Sequence, residues 1–203
     1  MHRNIIIHTA TFDLEAVLPI PCSLVSQAYY KRKLSSYNFT VYSLSDGKGT
    51  CFLWNETEGQ QGSCEIATCL HLYLNSLSPC TEQVTLFSDS CIGQNRNKFV
   101  ASALLHAVCT STYLKVVNHK FLEPGHTQME CDSMHSAMEY AKRKTNIYFR
   151  VSGIPLHLWQ EEATLIQSSL LDIQILLTSR KSIRTITAMW HVTSKIIKLY
   201  GTK

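Results

Sequence analysis

The chain predicts an α/β fold, a mixed sheet flanked by helices, and three observations carry that prediction. Val84 to Phe87 is an apolar run of strand length, and after a polar, glycine-containing turn helical periodicity resumes at Phe99, Ala103, Leu104, Ala107 and Val108. Tyr37 to Leu44 alternates large apolar with polar residues, turns at Asp46-Gly47-Lys48-Gly49, and returns through Thr50 to Trp54 as a hairpin partner. Strand and helix signals then alternate along the chain, the pattern of a sheet with helices packed on it.

Each element has its own signal. Thr11 to Leu18 is expected to be a first strand carrying Asp13, closed by Pro19-Ile20-Pro21, which cannot continue a central ladder. After the linker Gly59-Gln60-Gln61-Gly62, Ser63 is the expected helix N-cap, with Glu65 suiting the first turn. Ile66, Leu70, Tyr73 and Leu77 form the apolar stripe of that helix, and Pro79 stops it. The strand ending near Asp89 follows, then a helix beginning near Lys98 and a strand within Tyr113 to Phe121. Glu123-Pro124-Gly125-His126-Thr127 leads to a helix on which Met134, Ala137, Met138 and Ala141 share a face.

Composition fits a folded domain. The 203 residues are 45% apolar and 17% charged, too apolar for a disordered chain and long enough for one sizeable core. A net charge of +4 allows a nucleic-acid partner without requiring one. The eight cysteines form no C-x-x-C pair, which argues against structural zinc. The first residues lack the apolar core of a signal peptide, so the expectation is an intracellular protein, nuclear or cytoplasmic, with reduced and mostly buried thiols. On that reading the glycosylation patterns at Asn38-Phe39-Thr40 and Asn55-Glu56-Thr57 are coincidental. No apolar run approaches the roughly 20 residues needed to span a bilayer, so no membrane association is expected. The absence of a G-x-x-x-x-G-K-[ST] run disfavours phosphate-loop nucleotide hydrolysis. Cys91 has no cysteine-hydrolase signature around it.

Asp89 is the residue most suited to chemistry. It stands where a strand ends and a helix is about to begin, and strand carboxyl ends in open α/β sheets collect ligands and metals. Asp and Ser at such points also satisfy turn and helix-end amides, so Asp89 and Ser90 have that structural use open to them. The element order matches a ribonuclease-H-like architecture, a five-stranded mixed sheet flanked by helices, with one acid on the first strand, one at the end of the fourth and one at the helix after the fifth. Asp13, Asp89 and Asp132 fall in those places. Carboxylates so placed can hold two divalent cations about 4 Å apart for phosphodiester cleavage or strand transfer, and hard oxygen ligands favour Mg²⁺ or Mn²⁺.

Four groups of residues carry a resemblance to a family. Phe12-Asp13-Leu14-Glu15 is followed by Leu18-Pro19, and Tyr29-Tyr30-Lys31-Arg32-Lys33-Leu34 by Tyr37-Asn38-Phe39. Ser88-Asp89-Ser90-Cys91 is followed by Gly93-Gln94-Asn95-Arg96-Asn97, and His119-Lys120-Phe121-Leu122 by Gly125-His126-Thr127 and Cys131-Asp132-Ser133. Over residues 11–148 these resemble a transposon-associated, multicopy domain-of-unknown-function family of animal genomes, similar to DDE-type transposase cores. The resemblance implies a ribonuclease-H-like fold of mobile-element origin, with DNA as the expected partner. It makes Asp13, Asp89 and Asp132 the candidate catalytic and metal carboxylates, with Glu139 and Glu130 as alternative third acids. Gln94, Asn95, Asn97 and His126 lie nearby as substrate contacts or as braces of their loops. Lys31-Arg32-Lys33 and Lys142-Arg143-Lys144 suit phosphate contact or a solvated face.

Residues 149–203 depart from the resemblance and are expected to form a separate helical or irregular tail, Leu165 to Leu177 giving a broken amphipathic helix. Asp13 stands close to Met1, so the chain is expected to lack the N-terminal DNA-binding region of an autonomous transposase. Two functions follow from the sequence: a divalent-metal nuclease or strand transferase, and an inactive nucleic-acid-binding or protein-interaction domain that keeps the fold.

Overall fold

Strand β1 (Ile6–Leu14) runs through the middle of a seven-stranded sheet in the computed structural model, which describes residues 6–20, 32–144 and 173–177. The strands that follow are β2 (Leu18–Ile20), β3 (Leu34–Ser43), β4 (Lys48–Asn55), β5 (Thr81–Ser88), β6 (Val116–Phe121) and β7 (Ile173–Leu177). Helices α1 (Ser63–Ser76), α2 (Lys98–Thr110) and α3 (Glu130–Lys144) lie between them in sequence. The sheet order is β6-β5-β1-β3-β4-β7, with β2 paired to the start of β3. β1, β3 and β4 are antiparallel in succession, whereas β5 is parallel to β1 and β6 is parallel to β5. This mixed, open sheet is compatible with a ribonuclease-H-like arrangement.

Period-two alternation on β1 assigns the two faces of the sheet. Ala10, Phe12 and Leu14 enter the main core with Phe39, Val41, Phe52 and Trp54, packed against Ile66, Leu70 and Leu74 of α1 and Val100, Ala103 and Ala107 of α2. Phe12, Phe39 and Phe52 form a row of tilted rings, at 5.5 and 6.2 Å between successive centroids. Each fully buried ring contributes about 1.5–3 kcal/mol through the apolar surface it removes from water. Trp54 is buried as well, and its Nε1–H donates to the Gln60 carbonyl at 3.1 Å. The opposite face receives α3, whose Met134 and Met138 pack on Cys51 and Leu53 of β4.

The hairpin forms where its sequence places it. β3 and β4 pair from Ser36↔Asn55 to Ser43↔Lys48, and Gly47 takes the positive φ of +69° that the turn needs. At the start of α1 the N-cap is Gly62 rather than Ser63, and no side chain among the described residues caps the helix. A Cβ at Gly62 would lie 2.9 Å from Glu65 Oε2, and Glu65 Oε1 accepts the Gln60 N–H at 2.9 Å, so the acidic first turn claims the space beside residue 62.

The sheet is larger than the expected five strands. β2 adds a three-residue strip containing Pro19, tolerated there because β2 pairs only with β3 among the described residues. β7 arises within the stretch expected to be helical or irregular. Its apolar, partly β-branched residues pair in parallel with Gly49–Leu53 of β4, extending the sheet at that side.

No disulfide joins the described cysteines: Cys51, Cys69 and Cys131 are buried, but Cys80, Cys91 and Cys109 are exposed, so the thiols are not mostly buried as expected. Asn38 and Asn55 are buried, which removes both glycosylation patterns from the surface of the fold. No helix among the described residues is long and apolar enough to cross a membrane.

Candidate metal centre

Residues alternate to the α3 side of β1 at Thr11 and Asp13, and the chain folds α3 onto that point. Gly125 turns the chain with φ of +87°, and the His126 N–H donates to the Glu123 carbonyl at 3.0 Å. Helix α3 then begins, and Asp132 in its first turn reaches back so that Oδ2 accepts the Met129 N–H at 2.8 Å, half of a capping box. Cys131 is fully buried and seats the turn on the sheet, with Sγ 3.4 Å from Thr11 Oγ1 and 3.6 Å from the Thr40 carbonyl. Asp132 therefore arrives beside Asp13 by packing of its neighbour, across 119 residues of chain.

Asp13, Asp132 and His135 each bring a ligand atom within 4.8 Å of the others. His135 lies three residues beyond Asp132 on α3, a spacing that puts both side chains on one helix face. Burial pushes the Asp13 carboxyl up to about 6 against the pull of the Leu14 N–H, and the charges of Asp89 and Asp132 push it in the same direction. Burial holds the His135 imidazole below its ordinary range, opposed by Asp132 and Glu139. His135 Nε2 is buried without a hydrogen-bond partner among the described residues. Two carboxylates and an imidazole that is readily neutral are a donor set for a divalent cation.

Asp89 follows directly on the neighbouring strand, β5. The last paired step of β1 and β5 is Thr11↔Phe87, so Asp13 lies two residues beyond it near the end of β1 and Asp89 two residues beyond it, just past the end of β5. Asp89 Oδ1 accepts the Asn95 side-chain amide and the Cys91 N–H, the latter at 3.3 Å. Asn95 is fully buried, and its own Oδ1 has no hydrogen-bond partner among the described residues. Asp89 is thus braced beside Asp13 and stands outside the tighter Asp13–Asp132–His135 group.

The other sequence-predicted residues divide by position. Asn97 caps α2: its Oδ1 accepts the Phe99 and Val100 N–H groups at 2.9 and 3.1 Å, while its Nδ2 donates to the Gln94 carbonyl at 2.9 Å. Gln94 is half-buried in the same loop. His126 and Glu130 are exposed, and Glu139 follows His135 by one turn of α3. Arg32 is paired with Glu56 at 3.0 Å at the β3–β4 end of the sheet. Lys31 lies outside the described residues.

Three cations and their rings were not singled out by sequence. Arg96 Cζ lies 5.6 Å from the Phe121 ring centroid, Lys98 Nζ 5.3 Å from Phe99, and Lys120 Nζ 5.5 Å from Phe87. Phe87 and Lys120 are in register, as are Ser88 and Phe121, so the pairs on Phe87 and Phe121 sit at the strand ends that lead to Asp89. The signals available were Asp-x-x-His in α3 and the Lys-Phe pairs at Lys120-Phe121 and Lys98-Phe99.

A family model described as Domain of unknown function (DUF7869) matches residues 40–196. The chain belongs to this family. The DUF7869 match begins within β3, so it includes Asp89, Asp132, His135 and β7 but not Asp13. It also takes in residues 149–196, most of the stretch that departs from the resemblance. No curated protein matches the chain. No solved structure matches it either.

Proposed function

We propose that this DUF7869 domain is a divalent-metal-dependent nuclease or strand transferase of mobile-element origin that acts on the phosphodiester backbone of DNA. The observation that carries the reading is the convergence of Asp13, Asp132 and His135 within 4.8 Å, with the Asp89 charge felt at Asp13. These residues fit Mg²⁺ or Mn²⁺, since carboxylate oxygens dominate the set. A cation held there would supply Lewis-acid stabilisation of the charge that develops on phosphoryl oxygens.

The protein's own residues do the positioning. Asp132 is fixed through Oδ2 by the Met129 N–H, and Asp89 is fixed through Oδ1 by Asn95, so neither carboxylate has to be ordered when a substrate arrives. Arg96, Lys98 and Lys120 have no carboxylate ion-pair partner among the described residues, and each rides on an aromatic ring. Such cations attract phosphates through counterion release, and exposed Phe121 offers a ring for a base. In the reaction an oxygen nucleophile forms a bond to phosphorus in line with the bond that breaks, and the displaced oxygen leaves as a hydroxyl after gaining a proton.

A second reading, nucleic-acid binding without cleavage, draws on the hydrogen bonds that already occupy Asp89 Oδ1 and Asp132 Oδ2. Cleavage of an end-labelled DNA strand in Mg²⁺ or Mn²⁺ separates the two. The wild type is expected to cut, and Asp13→Asn and the Asp89→Ala, Asp132→Ala double variant to lose on the order of a hundredfold or more in rate while still binding DNA. Equal cleavage by wild type and variants would rule out the site, and binding with no cleavage by any of them would favour the second reading.

A further inference from the structure

Resting on the metal-site reading above, we propose that His135 is a direct metal ligand, so that Asp13, Asp132 and His135 form one seat of two oxygens and one nitrogen that prefers Mn²⁺ to Mg²⁺. Three observations converge on this seat. The ligand atoms of the three residues already lie within 4.8 Å of one another. An ion about 2.1 Å from each of its ligands keeps those ligands roughly 3 to 4 Å apart, so small side-chain adjustments close the set.

The second observation is the state of the imidazole. His135 Nε2 is buried and has no hydrogen-bond partner among the described residues, although an unpaired buried ring nitrogen costs about 1–3 kcal/mol. A buried ring nitrogen left open on the residue that joins two carboxylates in one cluster calls for a ligand. The third is the rigidity of the scaffold. Asp132 and His135 are one helical turn apart on α3, Asp132 Oδ2 is tied to the Met129 N–H, and Cys131 holds the same turn against Thr11 two residues from Asp13. The seat is therefore built on a helix and a central strand rather than on a loop.

Ligand chemistry then selects the ion. Oxygen donors alone accommodate Mg²⁺, Ca²⁺ and Mn²⁺, whereas Mg²⁺ gains little from imidazole and Mn²⁺ accepts both donor types. Asp89, braced by Asn95 outside this group, is left to face substrate or a second ion from the β5 side.

Electron paramagnetic resonance on the full chain tests the proposal without relying on activity. Titrated Mn²⁺ should lose its free-ion signal at a site that Mg²⁺ competes for only at about tenfold or greater excess. Pulsed measurements on the Mn²⁺-loaded wild type should detect hyperfine coupling to one imidazole nitrogen. His135→Gln should weaken Mn²⁺ binding about tenfold and change Mg²⁺ binding about twofold or less. Because the nitrogen coupling is read on the wild type, the test survives even if that variant does not fold. Binding of both ions with equal affinity and no nitrogen coupling would overturn the imidazole ligand while leaving the carboxylate metal site standing. Failure of both ions to bind would overturn the seat and the metal-site reading together.

Discussion

His119 lies 4.3 Å from Phe121 and 5.3 Å from Phe12, ring to ring, and shares a 2.9 Å hydrogen bond with Ser88 Oγ. Burial in this aromatic setting lowers its ionisation to about 4 from the ordinary 6.5. The unfolded chain accepts that proton near neutrality and the fold resists it, so the contribution of His119 to stability is complete above pH 6.5 and is lost as pH falls toward 4. Asp13 acts in the opposite sense, since its carboxyl is raised to about 6 and the fold is relieved of a buried charge as pH drops below that value. Urea denaturation across this range should show a loss attributable to His119 of about 2 kcal/mol after allowing for its partial exposure, and His119→Gln should flatten the slope. An unchanged slope would show that the ring is not held neutral by the fold. At this scale the acids were legible because strand ends and helix starts are local features. His135 was not, because its partner Asp13 lies 122 residues away and a histidine on a helix face has no distinguishing local signal.

Among the elements, the loop from Asp89 to Asn97 shows how one segment both braces a carboxylate and starts a helix. Asn95 holds Asp89, and Asn97 caps α2 while tying itself to the Gln94 carbonyl. Replacing Asn97 with Ala should destabilise the domain by about 1 kcal/mol, seen as a lower chemical-denaturation midpoint, because two helix-end N–H groups lose their acceptor. Asn97→Asp should retain most of the cap and lose only the donor to Gln94; equal stability of Asn97→Ala and wild type would contradict the capping role. The hairpin and α2 were readable from turn chemistry and periodicity, both of which act within a few residues. β7 was not, since an apolar run such as Ile173–Leu177 reads alike for a buried strand or a helix segment, and only the open edge of β4 decides between them. Ser63 misled for a related reason: a cap residue was recognised, but the Glu65 side chain occupies the space that decides which residue precedes the helix.

The whole molecule separates its tasks between the two faces of one sheet. The α1–α2 face carries the large apolar core, whereas the α3 face is polar near β1, where Thr11 and Asp13 meet Cys131 and the Asp132–His135 turn. Stability from the first face allows the second to hold a buried, electrostatically strained carboxylate. Crystals soaked in Mn²⁺ and measured at a wavelength where manganese scatters anomalously test this division most directly. The account predicts an anomalous peak within bonding distance of the Asp13 and Asp132 carboxylates and a His135 ring nitrogen; manganese bound elsewhere, with that position empty, would contradict it.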